Sequence, residues 1–188
     1  MKTAFLIHGS YGNPENNWFP WLKTKLTEQG WNVIAPKFPT PEGQNLINWM
    51  EVFKPYLPQL DDQTIIIGHS LAPAFILNIL EKIKIERPIA AAFMVAGFIG
   101  LLNDSRFDSI IDTFTEKEFH WEKIRQNCPK FYLFHSNNDP YVPLTKGQEL
   151  AKNLASELMV IPNAGHFNTE AKYFEFPQLV EKIENLKF

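Results

Sequence analysis

Six short apolar runs, at residues 2–7, 32–35, 64–68, 89–96, 130–135 and 157–161, alternate with segments of helical period at 18–29, 44–54, 71–84, 118–127, 144–154 and 177–187. The apolar runs are continuous, as in Ala4-Phe5-Leu6-Ile7 and Thr64-Ile65-Ile66-Ile67, rather than alternating with polar residues. A strand apolar on both faces must be covered on both faces, and a parallel sheet fed by crossover helices is the arrangement that does so. The expected fold is α/β: a single parallel six-stranded sheet with helices on both faces, whose order is 2-1-3-4-5-6 if strand one sits centrally between strands two and three. Pro36, Pro39 and Pro41 mark the loop after the second strand, and Pro55 and Pro58 are expected to end the second helix. The 188 residues suit one domain spanning 1–188.

Within that frame one junction carries chemistry. Gly68-His69-Ser70-Leu71-Ala72 joins the third strand run to the helical run Phe75-Ile76-Leu77-Asn78-Ile79-Leu80. A serine on a sharp strand-to-helix turn has its Oγ pushed out above the sheet, with a helix N-terminus behind it to favour developing negative charge. The pattern is G-x-S-x-G with Ala72 at the last position. That position must be small because the strand and helix backbones pass close together there. In an open sheet, ligands bind beyond the carboxyl ends of the strands where strand order reverses. The loop His8-Gly9-Ser10-Tyr11-Gly12 and the Ser70 turn should therefore face one another across a crevice between strands one and three.

A serine hydroxyl becomes an effective nucleophile when an oriented base takes its proton. His166, in Asn163-Ala164-Gly165-His166-Phe167 just after the last strand, is the best base in the chain. Asp139, in Asn138-Asp139-Pro140-Tyr141 after the fifth strand, is the best orienting carboxylate. Both loops leave the sheet at the same edge as Ser70, and the order Ser…Asp…His is that of α/β-hydrolases. Asp61 and Asp62 precede the third strand, at the wrong edge. Asp104, Asp108 and Asp112 lie in a long connection. His69 is expected to pack beneath the turn, His135 to end a strand, and His120 to sit on a surface helix. An oxyanion needs two donors. One should be the backbone N–H of Leu71 and the other that of Ser10 or Tyr11, a choice the sequence leaves open.

A formal net charge of −3 gives no reason to expect nucleic acid or an anionic membrane as partner. The single cysteine, Cys128, cannot form an internal disulfide and reads as a packing residue; the expected location is cytoplasmic. Ala4-Phe5-Leu6-Ile7 is too short for a signal-peptide core or a membrane span. Five histidines and one cysteine are scattered without metal-ligand spacing, so no metal site is expected and the chemistry calls for no cofactor. A protein partner is possible but not indicated by the sequence.

Phe5-Leu6-Ile7-His8-Gly9, Asn17-Trp18-Phe19-Pro20-Trp21-Leu22, Gly68-His69-Ser70-Leu71, Asp139-Pro140-Tyr141-Val142-Pro143 and Gly165-His166-Phe167 together resemble the small α/β-hydrolases of the retinoblastoma-binding-protein-nine type and their bacterial relatives. The resemblance spans nearly the whole chain. It implies a reduced α/β-hydrolase fold with no full cap domain, a Ser70–Asp139–His166 triad and serine hydrolase activity, and it leaves the substrate open.

The residues point to an acyl hydrolase, most simply a carboxylesterase acting on a small-molecule ester of small or medium acyl length. A thioesterase or amidase could use the same triad, and a protein-interaction module on the same scaffold is the rival from another class. Trp18, Phe98 and Phe167 are candidate substrate-binding residues. The segment from Gly97 to Cys128 is too short for a full lid domain but long enough for a small flap beside the site.

Overall fold

The computed structural model describes residues 1–82 and 86–188. Its strands are β1 (Thr3–Ile7), β2 (Asn32–Ile34), β3 (Thr64–His69), β4 (Ala91–Val95), β5 (Phe131–Ser136) and β6 (Leu158–Ile161). They form one sheet in the order β2-β1-β3-β4-β5-β6, and every neighbouring pair is parallel. The parallel sheet is the one the alternation of apolar runs points to, and its order is the expected one.

Alternate residues of the central strands feed two cores. Phe5, Ile7, Ile66, Ala92 and Met94 face one side, and Ala4, Leu6, Ile65, Ile67, Phe93 and Val95 face the other. The helices are α1 (Phe19–Glu28), α2 (Leu46–Phe53), α3 (Ala72–Lys82), α4 (Asp108–Thr115), α5 (Trp121–Asn127), α6 (Leu144–Leu154) and α7 (Pro177–Glu184). Leu22 and Leu26 of α1 pack with Leu179 and Ile183 of α7 on the second face. The first face holds a denser core, in which Trp49, Phe53, Phe75, Phe114, Ile124 and Leu150 come from α2 through α6. Burial of each such side chain is worth about 1.5–3 kcal/mol. Among the described residues, no helix is long and apolar enough to cross a membrane.

Two departures from the sequence reading have physical causes. The prolines after α2 do not simply stop it: a 3-10 turn, Lys54–Gln59, continues the chain with Pro55 in its first turn and Pro58 inside. The predicted helix 71–84 appears as α3 over Ala72–Lys82; positions 83 and 84 lie outside the described residues. Helix α4 was not expected as a helix. It is one short element without a side-chain N-cap, so the usual start signal is absent. Tertiary contacts hold it instead. Ile111 and Phe114 are buried, Asn78 Nδ2 donates to the Phe114 carbonyl at 2.9 Å, and the Leu46 N–H donates to Thr113 Oγ1 at 3.1 Å.

Candidate active site

The turn between β3 and α3 puts Ser70 at φ +62°, a left-handed backbone that a non-glycine residue adopts only under constraint. Its N–H donates to the Val95 carbonyl at 2.9 Å, tying the turn to the neighbouring strand. Gly68 lies under α3. A Cβ there would stand 2.6 Å from Ile76 Cδ1 and 3.0 Å from Ala72 Cβ, so position 72 has room for a methyl group and little more. Gly9 faces the turn from the β1–α1 loop, where a Cβ would fall 2.7 Å from Ser70 Cβ and 2.9 Å from the His69 carbonyl oxygen. Only a residue without a side chain lets the two loops approach so closely.

Ser70, His166 and Asp139 form one hydrogen-bonded row. Ser70 Oγ donates to His166 Nε2 at 2.9 Å, and His166 Nδ1–H donates to Asp139 Oδ2 at 2.7 Å. Asp139 Oδ1 accepts from the Tyr141 and Val142 N–H groups at 2.9 and 3.0 Å, which fixes the carboxylate's orientation. The Asp139 side chain is fully shielded from solvent. Burial works against its charge, but the His166 hydrogen bond, the neighbouring imidazole and those two N–H groups outweigh it. They hold the carboxyl below the usual aspartate range. The group therefore stays ionised and fixes the His166 tautomer that leaves Nε2 free to accept.

The loops carrying Asp139 and His166 are stapled to each other. Ser136 Oγ accepts from the Ala164 N–H at 3.0 Å, Asn137 Oδ1 from the Asn163 N–H at 2.9 Å, and Asn138 Oδ1 from the Gly165 N–H at 2.9 Å. Sequence reasoning passed over these three polar residues because they look like ordinary turn formers. The His166 loop is tied in turn to the β1–α1 loop, where Asn17 Oδ1 accepts from the Thr169 N–H at 2.9 Å.

Trp18 and Phe167, read from the sequence as substrate-binding candidates, belong to that support and not to the cavity wall. Both are fully buried on the α1/α7 face. Trp18 Nε1 donates to the Phe167 carbonyl at 3.1 Å, and the Phe167 ring stacks on Phe176 at 5.3 Å. An indole whose N–H finds a buried carbonyl gains more from the core than from a wet cleft. The third candidate, Phe98, does line the cavity.

The cavity, about 790 Å3, opens over Ser70. Its apolar wall comes from Phe98, Leu102, Phe107 and Ile111 of the β4–α5 connection, with Val142 beside them. The segment expected to form a flap thus lies at the site, with α4 tied to α2 and α3 by hydrogen bonds from Leu46 and Asn78. The polar lining comes from Asn16 and Asn17 near α1 and from Asn168, Thr169 and Glu170 beyond His166. Tyr141 sets its ring edge-on to His166 at 5.2 Å, and its hydroxyl hydrogen bonds to Glu170.

The question left open between Ser10 and Tyr11 has a geometric answer. The Tyr11 N–H donates to Thr40 Oγ1 at 2.7 Å and is not free for a ligand. Among the described residues, the N–H groups of Ser10 and Leu71 have no protein acceptor. Both residues flank Ser70, Leu71 in the chain and Ser10 across the cleft.

Three other buried histidines serve the framework. His8 Nε2 accepts from the Phe38 N–H at 3.0 Å, so its Nδ1–H donates to the Gly9 carbonyl at 2.9 Å and steadies the loop. His69, expected only to pack, also donates from Nε2 to the His166 carbonyl at 2.7 Å. His135 donates from Nε2 to the Val142 carbonyl at 2.9 Å, while among the described residues its buried Nδ1 has no partner. Burial is the leading cause that lowers all three pKa values, and it brings His69 down to about 3. The unfolded chain, with histidines near 6.5, then binds protons that the folded chain refuses. Stability is present above that value and is lost as pH falls through it. His69 alone should remove about 2 kcal/mol at pH 5. Urea midpoints at pH 7.5 and 5.0 check this. The midpoint is expected to be lower at pH 5.0, and an unchanged or higher one would contradict neutral burial. Among the described residues, no three His, Cys, Asp or Glu side chains converge to hold a metal ion.

An activated-serine geometry at the carboxyl edge of a parallel six-stranded sheet places the chain among proteins of α/β-hydrolase fold. The family model described as serine hydrolase matches residues 4–185, and the chain belongs to that family. It is similar to the YdeN protein of Bacillus subtilis (strain 168), at 27% identity over 176 residues, covering 94% of this chain and 91% of that one. It is likewise similar to serine hydrolase RBBP9 of Rattus norvegicus, at 26% over 186 residues, covering 97% and 94%. The crystal structure of the B. subtilis ydeN gene product superposes with a TM-score of 0.92 at 26% identity, over 98% of this chain and 97% of that one. A polyneuridine aldehyde esterase mutant, at 14% identity, covers 97% of each chain with a TM-score of 0.68, a likeness of fold alone.

Proposed function

We propose that the chain is a cofactor-independent acyl hydrolase, a carboxylesterase on esters of small or medium acyl length, with Ser70, His166 and Asp139 as its catalytic triad. The observation that carries this reading is the unbroken row from Asp139 through His166 to Ser70, with distances of 2.7 and 2.9 Å. Ser70 Oγ attacks the ester carbonyl while His166 Nε2 takes the hydroxyl proton, and Asp139 stabilises the imidazolium. The tetrahedral oxyanion is held by the N–H groups of Leu71 and Ser10. His166 returns the proton to the departing alcohol, which leaves beside the polar residues of its own loop, Asn168 and Thr169. Water then attacks the acyl-enzyme with His166 again as base, releasing the acid and free Ser70. The acyl group lies against Phe98, Leu102, Phe107 and Ile111. This wall suits an apolar chain.

Labelling with a fluorophosphonate, read by intact mass, tests the mechanism. Wild type is expected to gain one adduct and a folded Ser70→Ala variant none. A folded wild type that stays unlabelled would overturn the reading and favour an interaction module. Relative kcat/KM on matched ester, thioester and amide substrates then tests the bond class, with the ester expected to lead. A leading thioester or amide would replace the carboxylesterase assignment.

A further inference from the structure

Gln44 lies in the connection between β2 and α2, outside any regular element, yet only 7% of it is exposed. Its amide links three separate segments. Oε1 accepts from Thr40 Oγ1 at 2.6 Å, and Nε2 donates to Ser10 Oγ at 2.9 Å and to the Ile110 carbonyl at 2.7 Å. The orientation of the amide follows from its partners. The Ile110 carbonyl can only accept, so it must face the NH2 group. Thr40 Oγ1 already accepts from the Tyr11 N–H, which directs its own proton to Gln44 Oε1. Tyr11 N–H, Thr40 hydroxyl and Gln44 amide thus form a directed chain that returns to the loop at Ser10.

Resting on the triad reading above, we propose that Gln44 is a positioning residue that aims the Ser10 N–H at the oxyanion and locks that loop to the α4 wall of the acyl site. The two ends of the bridge differ in their redundancy. Helix α4 keeps other anchors, through Thr113 Oγ1 to the Leu46 N–H and through the Phe114 carbonyl to Asn78. Ser10 Oγ, among the described residues, has Gln44 as its one protein partner. Within the loop, Tyr11 and Gly9 keep their own partners, Thr40 and His8, so loss of the amide falls first on Ser10, the loop residue that Gln44 holds directly. An oxyanion donor acts chiefly in the transition state, so a misaimed one lowers kcat and leaves substrate binding largely intact.

The test compares wild type, Gln44→Leu, Ser10→Ala and the double variant on a p-nitrophenyl ester of medium chain length. Deleting an oxyanion donor outright costs about 10²–10³ in kcat, and a donor merely released from its brace should cost about tenfold. Gln44→Leu is expected to lose about tenfold in kcat, with KM within about twofold of wild type. Ser10→Ala keeps its backbone N–H and should lose a similar factor. The double variant should be no slower than the worse single one, because both cut the same link. A folded Gln44→Leu variant with wild-type kcat, a change confined to KM, or losses that multiply in the double variant would overturn the proposal. Ser10 is partly exposed, so Ser10→Ala tests the link even where Gln44→Leu fails to fold. Wild-type fluorophosphonate labelling and turnover are measured first. Their absence overturns the hydrolase reading itself, whereas an active wild type with unaffected variants overturns the role of Gln44 alone.

Discussion

Replacing Ser70 by alanine is expected to lower ester kcat by about 10⁴–10⁶ while the melting temperature stays close to that of wild type. Alanine keeps the Cβ, and the +62° backbone angle at this turn strains alanine no more than serine. What disappears is the hydroxyl that donates to His166 and that attacks the carbonyl in the proposed mechanism. Residual turnover would reflect the N–H pair and the cavity acting on water. A folded variant that hydrolyses test esters at the wild-type rate would remove Ser70 from the mechanism.

The second large effect is expected at Asp139→Asn, with a loss of about 10⁴ in kcat at neutral pH. The substitution is nearly isosteric, and an asparagine oxygen can still accept from the Tyr141 and Val142 N–H groups. Its amide nitrogen then faces His166 Nδ1 where a carboxylate oxygen stood 2.7 Å away. Two donors cannot share that line, so the imidazole must carry its proton on Nε2, the atom that has to accept from Ser70. Steady-state kinetics with circular dichroism as a fold control checks this. A folded variant within tenfold of wild type would show that the carboxylate does not set the tautomer.

Both predictions rest on residues that were legible in the chain, for a topological reason. In a parallel sheet every strand ends at the same edge, so a reader who finds the strands knows which loops meet. His8-Gly9, Ser70, Asp139 and His166 each follow a strand directly, and the structure brings their loops around one cavity. Residues whose position depended on side-chain packing were not legible. Trp18 and Phe167 sit in sequence beside the site, but their rings turn into the α1/α7 core and support the His166 loop from below. Gln44 gives no signal at all, since a glutamine between a proline-rich loop and a helix is ordinary. Its importance comes from meeting Ser10 and Ile110, which lie 34 and 66 residues away.

Tyr11 shows the same division within a single loop. The sequence offered two equivalent N–H groups, and a distant hydroxyl, Thr40 Oγ1, took one of them. The short helix α4 shows it for a whole element. It has no capping side chain, and buried Phe114 and Ile111 hold it as the wall of the site.

The sequence by itself determined the parallel sheet and the edge at which the Ser70, Asp139 and His166 loops gather. These follow from the period of apolar residues and from strand direction, which are local properties of the chain. The tertiary structure alone decided which first-loop N–H is engaged by Thr40 and which is left without an acceptor, which aromatics wall the cavity and which serve the core, and what braces the loops. Those outcomes depend on hydrogen-bond partners and packing neighbours far apart in the chain, where no local pattern records that they will meet.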